Sequence, residues 1–190
     1  ICRDLADLTR SGRFVGSHPM AGSHRQGMDH ARADLYHDCI TALTPLPETP
    51  AASIELVERL WRSVGARLCR YTPDDHDRAV VEASHLPHVM ASVTAAQLSA
   101  SAAQLAAGGF RDTTRVAAGS PDLWADILLH NRQAVQVGLA RCRAELLALE
   151  HALAAGSMAD VRQWLEQGKI GRSRFEQHTH FEVAPQAEES

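Results

Sequence analysis

Four short stretches of this chain combine residue types that could do chemistry. In Gly16-Ser17-His18-Pro19-Met20-Ala21-Gly22 a histidine follows a strand-like segment and precedes glycines. If the preceding segment is a strand of an α/β sheet, His18 lies at the carboxyl edge, where such sheets bind ligands. A glycine-rich turn with an exposed histidine fits the same residues. The second stretch is His76-Asp77 followed by Ser84-His85-Leu86-Pro87-His88, with His85 and His88 on one helical face. The third is Gly108-Gly109-Phe110-Arg111-Asp112-Thr113-Thr114-Arg115. Its two arginines suit bidentate recognition of an organic carboxylate, although pairing with surface acids is the ordinary fate of such arginines. The fourth is Trp124, which by itself suits a core or an interface as well as a pocket.

Other chemistries have little support. Glu82 and His85 form a Glu-x-x-His pair, but a di-metal bundle needs a second pair on another helix, and none is found. No metal is therefore expected. There is no G-x-S-x-G elbow, no G-x-G-x-x-G and no P-loop.

The elements that must position these residues fall into two textures. Up to about Thr72 the signals are mixed: Arg13-Phe14-Val15-Gly16 and Cys39-Ile40-Thr41-Ala42-Leu43 read as short strands. After the proline-rich turn from Pro45 to Pro50, Ile54, Val57, Trp61 and Val64 follow helical spacing, with Leu60 beside them. Glu55, Glu58, Arg59 and Arg62 then face water, Gly65 stops the helix, and Ala66 to Tyr71 suits another strand. From Thr72 onward everything reads as helix. Thr72 caps, Pro73 takes the first position, and Pro87 is expected to kink the helix they open. Ser120-Pro121-Asp122 opens one long periodic segment reaching Leu153, and a last helix runs from Ser157 to a stop at Gly168. Small residues from Ala91 to Ala107 allow close helix approach.

Totals set the outer bounds. The 190 residues are 45% hydrophobic, 22% charged and 5% aromatic, which excludes a disordered tail or a collagen-like repeat and suits a helical protein with a real core. Net charge is −4 with eleven histidines neutral, so no nucleic-acid partner is indicated. Protonating all eleven would carry the charge to +7, which makes solubility pH-dependent near pH 6. No apolar run approaches the ~20 residues that span a bilayer, so no membrane partner is expected. The four cysteines are widely spaced, and a cytoplasmic location is the expectation.

Taken in order, these pieces resemble the prephenate dehydrogenase family, with its arogenate and cyclohexadienyl relatives. The resemblance rests on Phe14-Val15-Gly16-Ser17-His18-Pro19-Met20-Ala21-Gly22, Leu43-Thr44-Pro45, Trp61 with Gly65-Ala66, and His76-Asp77. It continues through Ser84-His85-Leu86-Pro87-His88, the segment Gly108 to Arg115, and Trp124-Asp126-Ile127-Asn131. The resemblance implies oxidative decarboxylation of prephenate to 4-hydroxyphenylpyruvate, or of arogenate to tyrosine, with NAD or NADP as cofactor. His18 would be the catalytic residue that bonds the ring hydroxyl and takes its proton. Arg115 would bind a substrate carboxylate, His88 and Trp124 would line the pocket, and Gly108 and Asp112 would shape the neighbouring loop. His76, His85 and Arg111 would support them.

The implied fold is mostly α with a small α/β part: the carboxyl-terminal end of a Rossmann-like domain, then an all-α domain that forms a homodimer. Residues 1–72 would be the Rossmann-like portion, 73–168 the helical dimerisation and substrate domain, and 169–190 a polar tail. Two departures bear on this. His24 stands where the family usually has an acid. The dinucleotide fingerprint is missing too, so about three further βαβ units of about 30 residues would be needed before Ile1. The cofactor-binding residues are thus unknown, and the chain alone is expected to be inactive. The competing expectation is a non-catalytic helical dimerisation or ligand-binding module.

Overall fold

The structure, a computed structural model, describes residues 1–21, 29 and 31–179. The chain divides into two compact units, Ile1–Gly138 and Leu139–Ser190.

The first unit opens with a short helix α1 (Ala6–Arg10) and a three-stranded sheet of β1 (Gly16–Pro19), β2 (Ile40–Thr44) and β3 (Arg67–Arg70). The order is β1-β2-β3, with β1 antiparallel and β3 parallel to the central strand. That central place explains why Thr41, Ala42, Leu43 and Thr44 are all buried. The parallel pair needs a crossover, and α2 (Ala51–Ser63) supplies it. Gly65 ends that crossover at φ +81°, where a side chain would also sit 2.8 Å from the His37 ring.

Two sequence expectations are corrected here. The first strand is Gly16–Pro19, not Arg13–Gly16, so His18 is the third residue of an antiparallel strand, opposite Ala42, instead of lying past a carboxyl edge. Gly16 permits this start, because a Cβ there would collide with Thr44 and Cys2. Glu58 does not face water: it is buried, and its carboxylate accepts from Arg70 Nε at 2.7 Å and pairs with Arg62 at 3.2 Å. Those guanidiniums, Arg70 first, hold it below the usual carboxylate range.

Helix α3 (Pro73–Val80) begins as expected, with Thr72 Oγ1 accepting from Asp75 N at 3.1 Å. It passes through a wider π-helical turn, Val81–His85, into α4 (Leu86–Ala96). In that turn Leu86 N donates to Val81 O, five residues back. This register absorbs the N–H that Pro87 lacks. The glycine-rich stretch is helix α5 (Gly108–Thr114), followed by a 3₁₀ turn Arg115–Ala118. Gly108 and Asp112 therefore lie in a helix, not a loop. The long periodic segment is two helices, α6 (Pro121–His130) and α7 (Arg132–Ala154), because Asn131 leaves helical geometry at φ −110°, ψ 27°.

In the second unit, the rest of α7 turns at Gly156 (φ +64°) into α8 (Met158–Thr179). The Trp164 indole donates to Glu145 O at 3.0 Å across this hairpin. Gly168 does not stop α8; an interior glycine costs only about 1 kcal/mol against alanine, too little to end a helix that continues well to either side. Residues 169–179, expected as tail, thus continue the helix. Residues 180–190 lie outside the described residues. Among the described residues no helix is long and apolar enough to cross a membrane.

Candidate active site

His18 is brought to α3 by the pairing of β1 with β2. Its Nδ1 lies 2.9 Å from His76 Nε2, and the two rings meet edge to face with centroids 5.1 Å apart. His76 Nδ1 in turn lies 3.0 Å from Asp77 Oδ1. The His76 side chain is 16% exposed, that of Asp77 57%. Asn131 Nδ2 donates to the Asp77 carbonyl at 2.8 Å, which ties α3 to the α6–α7 junction. Partial burial of the His18 ring, and then His76, hold His18 below the usual histidine value. The neutral form is therefore favoured at neutral pH.

His85 and His88 flank Pro87 and are both buried. Their Nδ1 atoms have no hydrogen-bond partner among the described residues. Burial lowers the pKa of each, and His18 and His76 lower that of His85 further while Asp77 opposes them. Trp124, early in α6, gathers the pair: His88 stacks on it, and His85 meets it edge-on with centroids 6.4 Å apart. His18, His76 and His85 thus form one electrostatic group, and His85, His88 and Trp124 one packed group.

The third stretch stands apart from these. Arg111 Nε donates to Asp112 Oδ1 at 3.2 Å, both groups well exposed. Arg115 is exposed, and no hydrogen bond or ion pair holds it among the described residues. Among the described residues, no hydrogen bond or ion pair joins Gly108, Asp112 or Arg115 to His18. Gly22, Ser23 and His24 lie outside the described residues, so the usually acidic position has no structural account.

An open cleft of about 880 Å³ lies elsewhere in the first unit, lined by Pro45, Leu46, Ile54, Tyr71, Arg78 and Glu82 among others. It contains none of the four histidines. The described residues offer no glycine-rich strand-to-helix turn for a dinucleotide pyrophosphate. The turn between β2 and α2 runs from Pro45 to Pro50 without a glycine, and α2 has no side-chain cap. The described residues therefore do not fit a pyrophosphate, and no dinucleotide contact is assigned to them. Among the described residues, no group of three or more His, Cys, Asp or Glu side chains could hold a metal ion.

Three features have no clear signal in the sequence. Gly119, just before the helix start at Ser120, lies against both His88 and Trp124. Asn131 and Asp77 were visible as residues, but their bond spans 54 positions and has no local signal. The Glu58–Arg70 pair was hidden because helical periodicity assigned Glu58 to the wet face.

Comparison with known proteins places these features in context. Residues 72–167 match the family model described as prephenate dehydrogenase, dimerization domain, and residues 1–70 match prephenate dehydrogenase, nucleotide-binding domain. A prephenate dehydrogenase of Bacillus subtilis is 38% identical over 140 residues, which are 70% of this chain and 38% of that protein. A cyclohexadienyl dehydrogenase of Zymomonas mobilis is 35% identical over 162 residues, 82% of this chain and 55% of that protein. The chain thus spans about half the length of these relatives or less. Among solved structures, prephenate dehydrogenase from A. aeolicus in complex with hydroxyphenyl propionate and NAD+ superposes with TM-score 0.80 and 29% identity, covering 91% of this chain and 62% of that one. Synechocystis arogenate dehydrogenase gives 0.74 and 29%, covering 85% and 61%.

Proposed function

The chain belongs to the prephenate dehydrogenase family, combining the end of a Rossmann-like domain with a helical dimerisation domain, and on that premise we propose that it serves the oxidative decarboxylation of prephenate to 4-hydroxyphenylpyruvate. Arogenate, giving tyrosine, is the alternative substrate. NAD or NADP, when bound, accepts the hydride. The observation that carries the reading is the state of His18: accessible on β1, paired with His76 at 2.9 Å, and biased toward the neutral form.

In this reading His18 accepts the proton of the ring hydroxyl while the hydride leaves the same carbon. The carboxylate departs as carbon dioxide and the ring becomes aromatic, so the driving force lies in the substrate. What the protein must do is orient and keep the base neutral. Arg115, exposed and unpaired among the described residues, is free to take a substrate carboxylate. His88 and Trp124, stacked on one another, are the aromatic residues proposed to line the pocket. Gly108 and Asp112, on the helix that leads into Arg115, set where that arginine starts.

A homodimer is part of the proposal. In the second unit, Leu146, Leu147 and Leu165 are large apolar side chains left exposed on α7 and α8. Such an excess of uncovered apolar surface marks an association face. The second reading, a non-catalytic dimerisation or ligand-binding module, predicts a dimer in which substitution of His18 has no effect on turnover.

His18→Asn in the catalytically complete enzyme separates the two. The expected loss in kcat is about 10²–10⁴-fold with an unchanged circular dichroism spectrum. Near-normal turnover would remove His18 from the chemistry. Calorimetric titration of the 190-residue chain with prephenate, arogenate and NAD(P), alongside its mass in solution, tests the binding and dimer proposals.

A further inference from the structure

The contacts of His18 determine more than its neutrality. Asp77 Oδ1 lies 3.0 Å from His76 Nδ1, and His76 Nε2 lies 2.9 Å from His18 Nδ1. A carboxylate can only accept, so His76 Nδ1 must carry a proton to make the first bond. Neutral His76 then has a bare Nε2, which can only accept, and the proton of the second bond must come from His18 Nδ1. The opposite arrangement would set a nitrogen lone pair against a carboxylate. The chain of bonds therefore leaves Nε2 of His18 as its unprotonated nitrogen, whereas a free histidine side chain in water prefers to carry its proton on Nε2.

We infer that Asp77 and His76 are positioning residues that hold His18 in its Nδ1–H tautomer and so keep the Nε2 lone pair for the substrate hydroxyl. The inference rests on the reading of His18 as the base. The chain of bonds is well supported: β1 supplies His18, α3 supplies the two partners, and Asn131 pins the Asp77 backbone. His76 is mostly shielded from water, so its bonds face little competition. The other titratable group acting on His18's surroundings is His85, from the π-helical turn, which is buried and kept neutral.

The experiment uses two readouts. In the ¹⁵N histidine spectrum of the 190-residue chain at neutral pH, His18 is expected as the Nδ1–H tautomer. Asp77→Ala should shift it toward Nε2–H, and Asp77→Glu should restore it. Asp77 is more than half exposed, so these replacements leave the packing intact. In the catalytically complete enzyme, Asp77→Ala should lower kcat by about 10- to 100-fold with KM nearly unchanged, less than full loss of a general base. His18 found as Nε2–H in the unsubstituted chain, or a tautomer and a kcat unmoved by Asp77→Ala, would overturn the inference. Full turnover by His18→Asn would instead overturn the base reading, whatever the tautomer.

Discussion

His88 lies flat on Trp124, with ring centroids 3.5 Å apart and planes 11° from parallel. The stack joins the helix after Pro87 to the helix after Pro121, across 36 positions of chain, and leaves one edge of each ring toward Gly119. A Cβ on Gly119 would fall 2.7 Å from Trp124 Nε1, 3.0 Å from Cδ1 and 3.4 Å from His88 Cε1. The backbone there is ordinary extended geometry, so glycine is required for space and not for conformation.

Gly119→Ala is accordingly expected to destabilise the first unit by about 1–3 kcal/mol, the usual cost of overpacking. Urea unfolding followed by tryptophan fluorescence measures this. A change under 0.5 kcal/mol (about the scatter of neutral surface substitutions) would mean the stack shifts freely.

Stability should depend on pH through His85 and His88. Both have folded values below the roughly 6.5 of the unfolded chain, chiefly through burial. Their neutral forms are the ones the fold accepts, so stability is complete above about pH 6.5 and is lost as pH falls through the lower folded values. Tm should therefore drop between about pH 7 and pH 5. The double variant His85→Gln, His88→Gln should flatten that slope; an equal slope would place the proton uptake elsewhere.

Arg115→Ala is expected to raise KM for a carboxylate substrate by about 10- to 100-fold, the worth of a charge-assisted hydrogen bond, with little change in kcat. Steady-state kinetics on the catalytically complete enzyme decides it. Because Arg115 has no partner among the described residues, the substitution should leave Tm alone.

Glu58→Gln removes the charge that Arg70 and Arg62 share. Both guanidinium side chains are more than half exposed, which limits the loss to about 1 kcal/mol. The contribution is present above the carboxylate's unfolded pKa and disappears as pH falls through its depressed folded value, so the variant and the parent should converge in acid. Thermal melts at neutral and acid pH test this convergence.

Much of the architecture was legible in the sequence because it is locally encoded. Thr72-Pro73 and Ser120-Pro121 cap the helices they were expected to cap, since a hydroxyl and a proline act within one turn. The ordered motifs from Phe14 to Asn131 were enough to point to the family. Tertiary structure alone decided the rest. Whether a strand covers Arg13–Gly16 or Gly16–Pro19 depends on the register of its pairing along β2, and that shift places His18 opposite Ala42 within the paired strand. Periodicity put Glu58 in water, but Arg70 on the neighbouring strand supplied a counter-charge that lets it be buried. Composition showed eleven histidines without saying which meet. The bond from His76 to His18 and the stack of His88 on Trp124 join residues far apart in the chain, and a contact between distant positions exists only once the elements between them have packed.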